Sequence, residues 1–569
     1  MTKTNLPSYN LNWAETTIFW GAGATSSLKL PTTNEMGKIV HRLAATDDLL
    51  GKKIKKTEAF NGIEEELEAF LCLLGDDLNS DYGIFSEKEK VAYKKIFSAL
   101  SPERQISQAV YWRTLYDWDA LRRLILKIPL QNDDGAQFLL DLYNIIDGGI
   151  MNHRGVEVGG KVEKKIGEDK EEASLFVLEP RRLTGARSIL NLLLQMMMAC
   201  AYYKTEKGDP TLFDPYIKLA DILAELMQRE GRYRDSMAVH KNPDFYSSRE
   251  FYLFSYAIVS MNFDPILLWL IFNAHKRKND KAPRIGRYNQ ELKLFHDFSI
   301  FMGVRRVDGD SPAVWYPFNE TVAQRVNGYQ QRVTRIGKFY FPHGSTNFRE
   351  CIHCGKLSMT LGNEWRDLSD SLFPSPPFKT ELFQSKPRSK EEAEDQEQRN
   401  QYDAIQCPFC GHMTYSTDIP MVMQTSYKGN HPSFIEEIQR DLKVCLEKSR
   451  HIVLMGYSLP KDDLVWRSVL VAQRNDNKKF CSVIVGFKGP KKWINSRELA
   501  SWVVKIKEEK KPQEYKAYGI PAIESAIAIF GEGRVRAYTG GVPNVWEGGM
   551  QDVIDMLYPV DAFPSGFPF

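Results

Sequence analysis

No block of charge of one sign dominates the sequence. Its 75 basic and 73 acidic side chains leave a formal net charge of +2. That balance lacks the electrostatic footprint of a protein that coats nucleic acid or an anionic membrane, so neither partner is expected. The opening stretch, Met1-Thr2-Lys3-Thr4-Asn5-Leu6, has no apolar run and no cleavage signature, and no secretory leader is expected. An unbroken membrane span is missing too. Phe251 to Ala274 is apolar, but Asn262, Asp264 and Pro265 stand in its middle and predict a strand, a turn and a helix. Ser188 to Tyr203 is too short for a span and holds Asn191 and Gln195, which predicts a buried helix. No internal repeat is visible. The third glycine of the dinucleotide fingerprint is absent, because Ser26 follows Gly21-Ala22-Gly23 where it would stand, and an ordinary Rossmann dehydrogenase is disfavoured.

A disulfide framework is likewise lacking. Of eight cysteines, Cys72, Cys200, Cys445 and Cys481 lie singly in apolar surroundings and read as core thiols. The other four form two Cys-x-x-Cys pairs, Cys351/Cys354 and Cys407/Cys410. Free thiols and a metal pattern without a leader point to a reducing, cytoplasmic setting.

What is present is a soluble globular composition, 43% hydrophobic over 569 residues, enough for several units. Three strand-to-loop junctions organise the chain. Ile18-Phe19-Trp20 runs into Gly21-Ala22-Gly23-Ala24-Thr25, a phosphate-type turn. Ala257-Ile258-Val259 leads through Ser260 and Met261 to Asn262, Phe263 and Asp264, with a helix to follow from Pro265. Phe339-Tyr340-Phe341-Pro342 leads to His343-Gly344-Ser345. Open α/β sheets bind ligands at such strand ends, so the three junctions are expected to converge on one crevice.

The fold class expected is α/β: a Rossmann-like parallel sheet with a large α-helical insertion and a small zinc-binding module. The sheet domain is read as three segments, 1–46, 251–345 and 419–569. The insertion, 47–250, shows apolar residues at helical spacing and few β signals. The module, 346–418, contains both cysteine pairs and a charged, polar loop between them. In the last segment Ser433 to Lys448 and Asp462 to Arg474 read as helices, with strands at His451 to Gly456 and Phe480 to Gly486. A final strand is expected at Val535 to Tyr538 and a closing helix at Met550 to Leu557.

Each cysteine pair is followed by a glycine, Gly355 or Gly411, as in two zinc knuckles that meet in one tetrahedral thiolate site. Four sulfurs would close the coordination sphere, so the metal would be structural. His353 and His412 lie inside the knuckles and are possible substitute ligands, although cysteine is the simpler choice.

These motifs resemble those of the sirtuin family. Gly21 to Pro31 resembles, without a gap, the Gly-Ala-Gly-x-Ser…Gly-Ile-Pro cofactor loop. Met261-Asn262-Phe263-Asp264 resembles the family's Gln-Asn-Ile-Asp, and His343-Gly344 with Cys351 and Cys354 resembles its catalytic His-Gly and first knuckle. Cys407/Cys410 stands as the second knuckle, and Gly456-Tyr457-Ser458-Leu459 resembles its Gly-Thr-Ser-Leu. The order is kept, and the motifs cover about half the chain, the helical insertion lying outside the standard enzyme. The resemblance implies a domain that binds NAD+ and a structural Zn2+ held by Cys351, Cys354, Cys407 and Cys410. By position, Gly21, Ala22, Gly23 and Thr25 would hold the pyrophosphate and nearby ribose, with Gly456 and Ser458 on the other side. Asn262 and Asp264 would line the nicotinamide-ribose pocket, and His343 would act as general base.

The departures are informative. Sirtuin deacetylases follow the proline with Asp-Phe-Arg, whereas Pro31 here precedes Thr32-Thr33-Asn34, so the aromatic shield of the reactive ribose carbon is missing from its usual place. Met261 replaces glutamine and Lys29 replaces glycine. The chain is more similar to the NAD+-hydrolysing sirtuin-like proteins of bacterial antiphage defence, which also carry large helical additions. That implies an NAD+ glycohydrolase releasing nicotinamide and ADP-ribose, gated by homo-oligomer assembly or by a partner such as a defence-system ATPase or a phage protein. A protein deacylase or ADP-ribosyltransferase on the same scaffold is the second reading. A non-catalytic NAD+- or ADP-ribose-binding regulator is the third.

Overall fold

The structure is a computed structural model that describes residues 14–44, 48–75, 85–98, 101–164, 171–241, 253–280, 293–298, 301–302, 334–350, 353, 355, 357–359, 405–406, 413–414, 419–422, 432–460, 463–472 and 479–566. These residues divide into two compact units. One comprises Met1–Leu28, Pro210–Ser345 and Ser433–Phe569, the other Lys29–Asp209 and Thr346–Pro432.

The first unit is built on a single sheet. Its strands, in chain order, are β1 (Thr16–Trp20), β2 (Leu253–Ser260), β3 (Lys293–Phe298), β4 (Phe301–Met302), β5 (Thr334–Tyr340), β6 (His451–Met455), β7 (Phe480–Ile484), β8 (Trp493–Ile494) and β9 (Val535–Tyr538). The spatial order is β8-β9-β7-β6-β1-β2-β5-β3-β4. All neighbours from β9 to β3 pair in parallel, and only the short edge strands β8 and β4 run antiparallel. The fold is therefore α/β with a mostly parallel sheet.

The central strands are apolar on both faces because both are covered. Every residue of β1, β6 and β7 is buried, the pattern of a parallel sheet between helices. Two adjacent threonines mark the faces, since successive strand side chains point in opposite directions. Thr16 Oγ1 donates to the Leu557 carbonyl (2.6 Å) at the end of helix Met550–Leu557. Thr17 Oγ1 pairs with Ser449 Oγ (2.6 Å), just past helix Ser433–Lys448. Helix Ile266–Asp280 follows β2, so Phe251 to Ala274 resolves into the predicted strand, turn and helix. The other strands and helices expected between Ser433 and Leu557 also form, with ends shifted by up to two residues.

The second unit is largely helical. Its longest helix, Pro180–Gly208, is long and apolar enough to cross a membrane, but its apolar window is 83% buried inside the protein, which makes it a core helix. Arg187 on this helix pairs with Asp147 (2.8 Å) and donates to the Met421 carbonyl, while Asn191 donates to the Ile419 carbonyl and accepts from Tyr143. The unit also contains a hairpin, Val156–Lys164 with Glu171–Leu178, that the helical periodicity did not announce.

The unit boundaries fall elsewhere than the composition change suggested. Helix Asp214–Lys241 groups with the sheet and not with the insertion, because Tyr216 reaches the Ala24 carbonyl (2.6 Å) and Trp546 donates to the Pro215 carbonyl (2.9 Å). The segment 346–432 groups with the helices. Of the single cysteines, Cys72, Cys445 and Cys481 are buried, and Cys200 is half-buried.

A buried polar cluster ties β6, β7 and β9 to the last helix. His451 has its two ring nitrogens on the Leu557 carbonyl (2.9 Å) and Ser482 Oγ (2.8 Å), and Arg536 donates to Ser482 Oγ and pairs with Asp555. Burial, with the Arg536 charge adding to it, pushes the imidazole down from an ordinary 6.5 to about 3. The folded state thus refuses a proton that the unfolded chain accepts, so stability falls as pH drops from 6.5 toward 3. Between pH 7 and pH 5 this residue should withdraw about 2 kcal/mol. Thermal unfolding should show a shallower acid loss in His451→Gln than in the parent chain.

Candidate functional site

The register of the sheet brings four strand ends to one level. Trp20 pairs with Met455 on one side and Ser260 on the other, and Val259 pairs with Tyr340. The loops beginning at Gly21, Met261, Phe341 and Gly456 therefore leave the carboxyl edge side by side. From β1 the chain continues to β2 on one flank, while the strands of its last third fill the other. The reversal of strand order lies at β1 and β6, where open α/β sheets bind their ligands.

The loops after β1 and β6 touch backbone to backbone. Gly21 N–H donates to the Met455 carbonyl and Gly23 N–H to the Gly456 carbonyl, both at 2.9 Å. A Cβ on Gly21 would lie 2.6 Å from the Gly456 oxygen, and one on Gly456 would lie 2.0 Å from the Ala24 nitrogen. Gly456 also adopts φ +59°, which L side chains rarely take. The expected amide cradle is thus only partly available. Gly21, Gly23 and Ala24 all spend their N–H groups inside the protein, the last on the Gly21 carbonyl. What the loops present outward is the surface of Ala22 and Gly23 and the exposed Ser458. What is open to solvent there is side-chain-free backbone and the Ser458 hydroxyl, and these three amides are not.

Tyr216, which the sequence reading did not single out, sits beneath this loop. Its hydroxyl donates to the Ala24 carbonyl and pairs with Ser27 Oγ. Burial pushes its phenol up to about 12, so it stays a neutral donor.

The loop after β2 meets the first one. Asn262 is half-buried, and its Nδ2 donates to Thr25 Oγ1 at 3.4 Å. Asp264 is 7% exposed and accepts from the Ile266 N–H (3.2 Å) at the start of helix Ile266–Asp280. Burial pushes its carboxyl up from 3.8 to about 6, and the hydrogen bonds from Ile266 and Asn262 pull it partly back.

The loop after β5 closes the group. Ser345 Oγ donates to the Phe263 carbonyl (3.0 Å), and the His343 and Phe263 rings lie 6.5 Å apart. Gly344 takes φ +76°, and its N–H donates to the Phe341 carbonyl in a tight turn. His343 is 4% exposed, with its Nε2 4.0 Å from Asp463 Oδ2. Gly21, Ala22, Gly23, Thr25, Asn262, Asp264, His343, Gly456 and Ser458 thus all stand on adjoining loops of the carboxyl edge.

Cys351, Cys354, Cys407 and Cys410 lie outside the described residues, as does His412. Among the described residues, no group of three or more potential metal ligands comes together. The expected zinc module therefore rests on its spacing alone.

No protein-family model matches the chain, and no curated protein matches it in sequence. The functional reading is carried by the arrangement of these loops and by the motif resemblance.

Two stability effects follow from the geometry. Gly456→Ala must clear a backbone contact at positive φ and should lose roughly 2–4 kcal/mol in denaturant unfolding. Asp264→Asn keeps the cap on Ile266 but removes a carboxylate that the fold charges reluctantly. A raised carboxyl costs stability above its folded value, so this variant should gain about 1–3 kcal/mol near neutral pH and no gain below pH 4.

Proposed function

We propose that the protein is a sirtuin-type NAD+ glycohydrolase, cleaving NAD+ to nicotinamide and ADP-ribose. The observation that carries this reading is the meeting of loops. A glycine-rich turn, a carboxamide with a neighbouring carboxylate, and an imidazole leave adjacent parallel strands at the point where strand order reverses. Such a place suits a dinucleotide, and such a set of groups suits attack on a glycosidic carbon.

Cleavage breaks the bond between nicotinamide nitrogen and the anomeric carbon through an oxocarbenium-like state. The leaving nitrogen takes the bonding pair and departs as neutral nicotinamide. Asn262 offers both a donor and an acceptor with which to orient a ribose hydroxyl or the attacking water. Asp264, close to Asn262, fixes that amide and offsets the developing positive charge when ionised. His343 takes the proton that water gives up as its oxygen bonds the anomeric carbon. Water is the acceptor favoured by the missing aromatic after Pro31. Zn2+ on the four paired cysteines would be structural and takes no part in these steps.

A continuously active NAD+ hydrolase would drain its own host, so the activity is gated. Oligomer assembly or a partner protein is the trigger, in keeping with an effector of bacterial antiphage defence that acts by abortive infection. The burial of His343 and Asp264 accords with a site closed at rest.

The test is chromatographic detection of nicotinamide from NAD+, with and without an acetylated peptide. Peptide-independent release is expected at protein concentrations that drive oligomer assembly. It should fall at least about 100-fold in His343→Ala and Asn262→Ala, with circular dichroism unchanged. Release that requires the peptide would identify a deacylase instead. Asp264 adds a pH signature: activity should decline as pH falls through about 6, the region where its carboxyl takes up a proton.

A further inference from the structure

The loop after β6 carries a second feature that no motif assigned. Asp463 is fully buried and immediately precedes helix Leu464–Ala472. Its backbone is fixed twice: its N–H donates to the Pro460 carbonyl (3.1 Å), and its carbonyl accepts from the Arg467 N–H (3.0 Å). The Arg467 guanidinium also donates to the carbonyl of Leu459, a non-glycine residue held at φ +51°. The Asp463 carboxylate accepts a hydrogen bond from the Tyr457 hydroxyl at Oδ2. That same oxygen lies 4.0 Å from Nε2 of the buried His343. Tyr457 is itself locked, its ring stacked on Phe19 of β1 at 5.6 Å and 9°.

Resting on the proposed NAD+ chemistry, we infer that Asp463, held by Tyr457, is the positioning residue for His343: it holds the imidazole through Nε2, favours the tautomer with the proton there and stabilises the imidazolium that forms. The physical case is that of any histidine base with a carboxylate behind it. A neutral imidazole has one donor and one acceptor nitrogen, and the group beside one nitrogen decides which is which. A fixed carboxylate also stabilises the imidazolium that forms when the base has done its work. A separation of 4.0 Å exceeds a direct hydrogen bond. Such contacts commonly tighten when substrate is bound. A buried carboxylate with a phenol donor fixed against a strand is costly to maintain for packing alone, and an apolar side chain would fill that space more cheaply. Among the described residues of these loops, the charged groups are Asp463 and Arg467, with Asp264 on the neighbouring loop.

Asp463→Asn keeps the shape and removes the charge. In the full-length protein, nicotinamide release from NAD+ should lose at least about tenfold in kcat with KM changed less than about threefold. Asp463→Glu should recover part of the loss, and Tyr457→Phe should lie between Asp463→Asn and the parent. A second measurement does not need turnover. With 13C-labelled histidine, the ring signal of His343, assigned by its disappearance in His343→Gln, should titrate at lower pH in Asp463→Asn and in Tyr457→Phe than in the parent. An unaltered kcat in Asp463→Asn, or a His343 titration indifferent to both substitutions, overturns the inference. If the parent releases no nicotinamide even at protein concentrations that drive its assembly, the proposed function fails while the titration still decides the pairing. Should Asp463→Asn not fold, the Tyr457→Phe titration decides alone.

Discussion

Everything at the carboxyl edge of the sheet depends on two loops lying closer than a side chain permits. The turn after Trp20 and the turn after Met455 make contact through their own main chains, and three glycines are the condition for it. This contact sets where Thr25 stands, and so where Asn262 can find a partner. It brings Tyr457 over Phe19 and, through Tyr457, sets Asp463 behind His343. The geometry of side chains on loops far apart in sequence is in this way referred to one rigid seam between neighbouring strands.

The seam also changes what the glycines mean. A glycine-rich turn after a strand is usually read as a phosphate cradle. Here the amides of Gly21, Gly23 and Ala24 are engaged within the protein, so the residues are explained first by packing. What these loops leave exposed is the outward surface at Ala22, Gly23 and Ser458. Several buried polar groups below are likewise answered within the protein. Lys479 shows this well: its ammonium donates to the carbonyls of Leu446, Glu447 and Ser449 where helix Ser433–Lys448 ends.

Much of the sheet was legible because its signals are local. Short, mostly apolar runs rich in β-branched or aromatic residues and closed by glycine, such as Thr16–Trp20 and His451–Met455, read as strands buried on both faces, and the residues just after them mark the loops. Pairing order follows less directly, yet Asn262 and Thr25 meet as the junctions suggested. Other features escaped for physical reasons. Tyr216 opens a helix whose sequence looks like the insertion before it, and nothing local says its hydroxyl belongs under Ala24. Asp463 could have been noticed as an acidic residue before an apolar helix, but its nearness to His343 is a fact of the sheet and not of spacing. The hairpin at Val156–Leu178 was hidden by its glycines and charged residues, which weaken alternation.

The helical unit carries a consequence of its own. Arg187 and Asn191 grip the carbonyls of Met421 and Ile419, so a stretch far downstream is part of the same core as helix Pro180–Gly208. Two separate lengths of polypeptide, made at different moments of synthesis, must find each other before this unit is finished. The unit is therefore not one continuous length of chain: excising its helices would leave the carbonyls of Ile419 and Met421 without these donors.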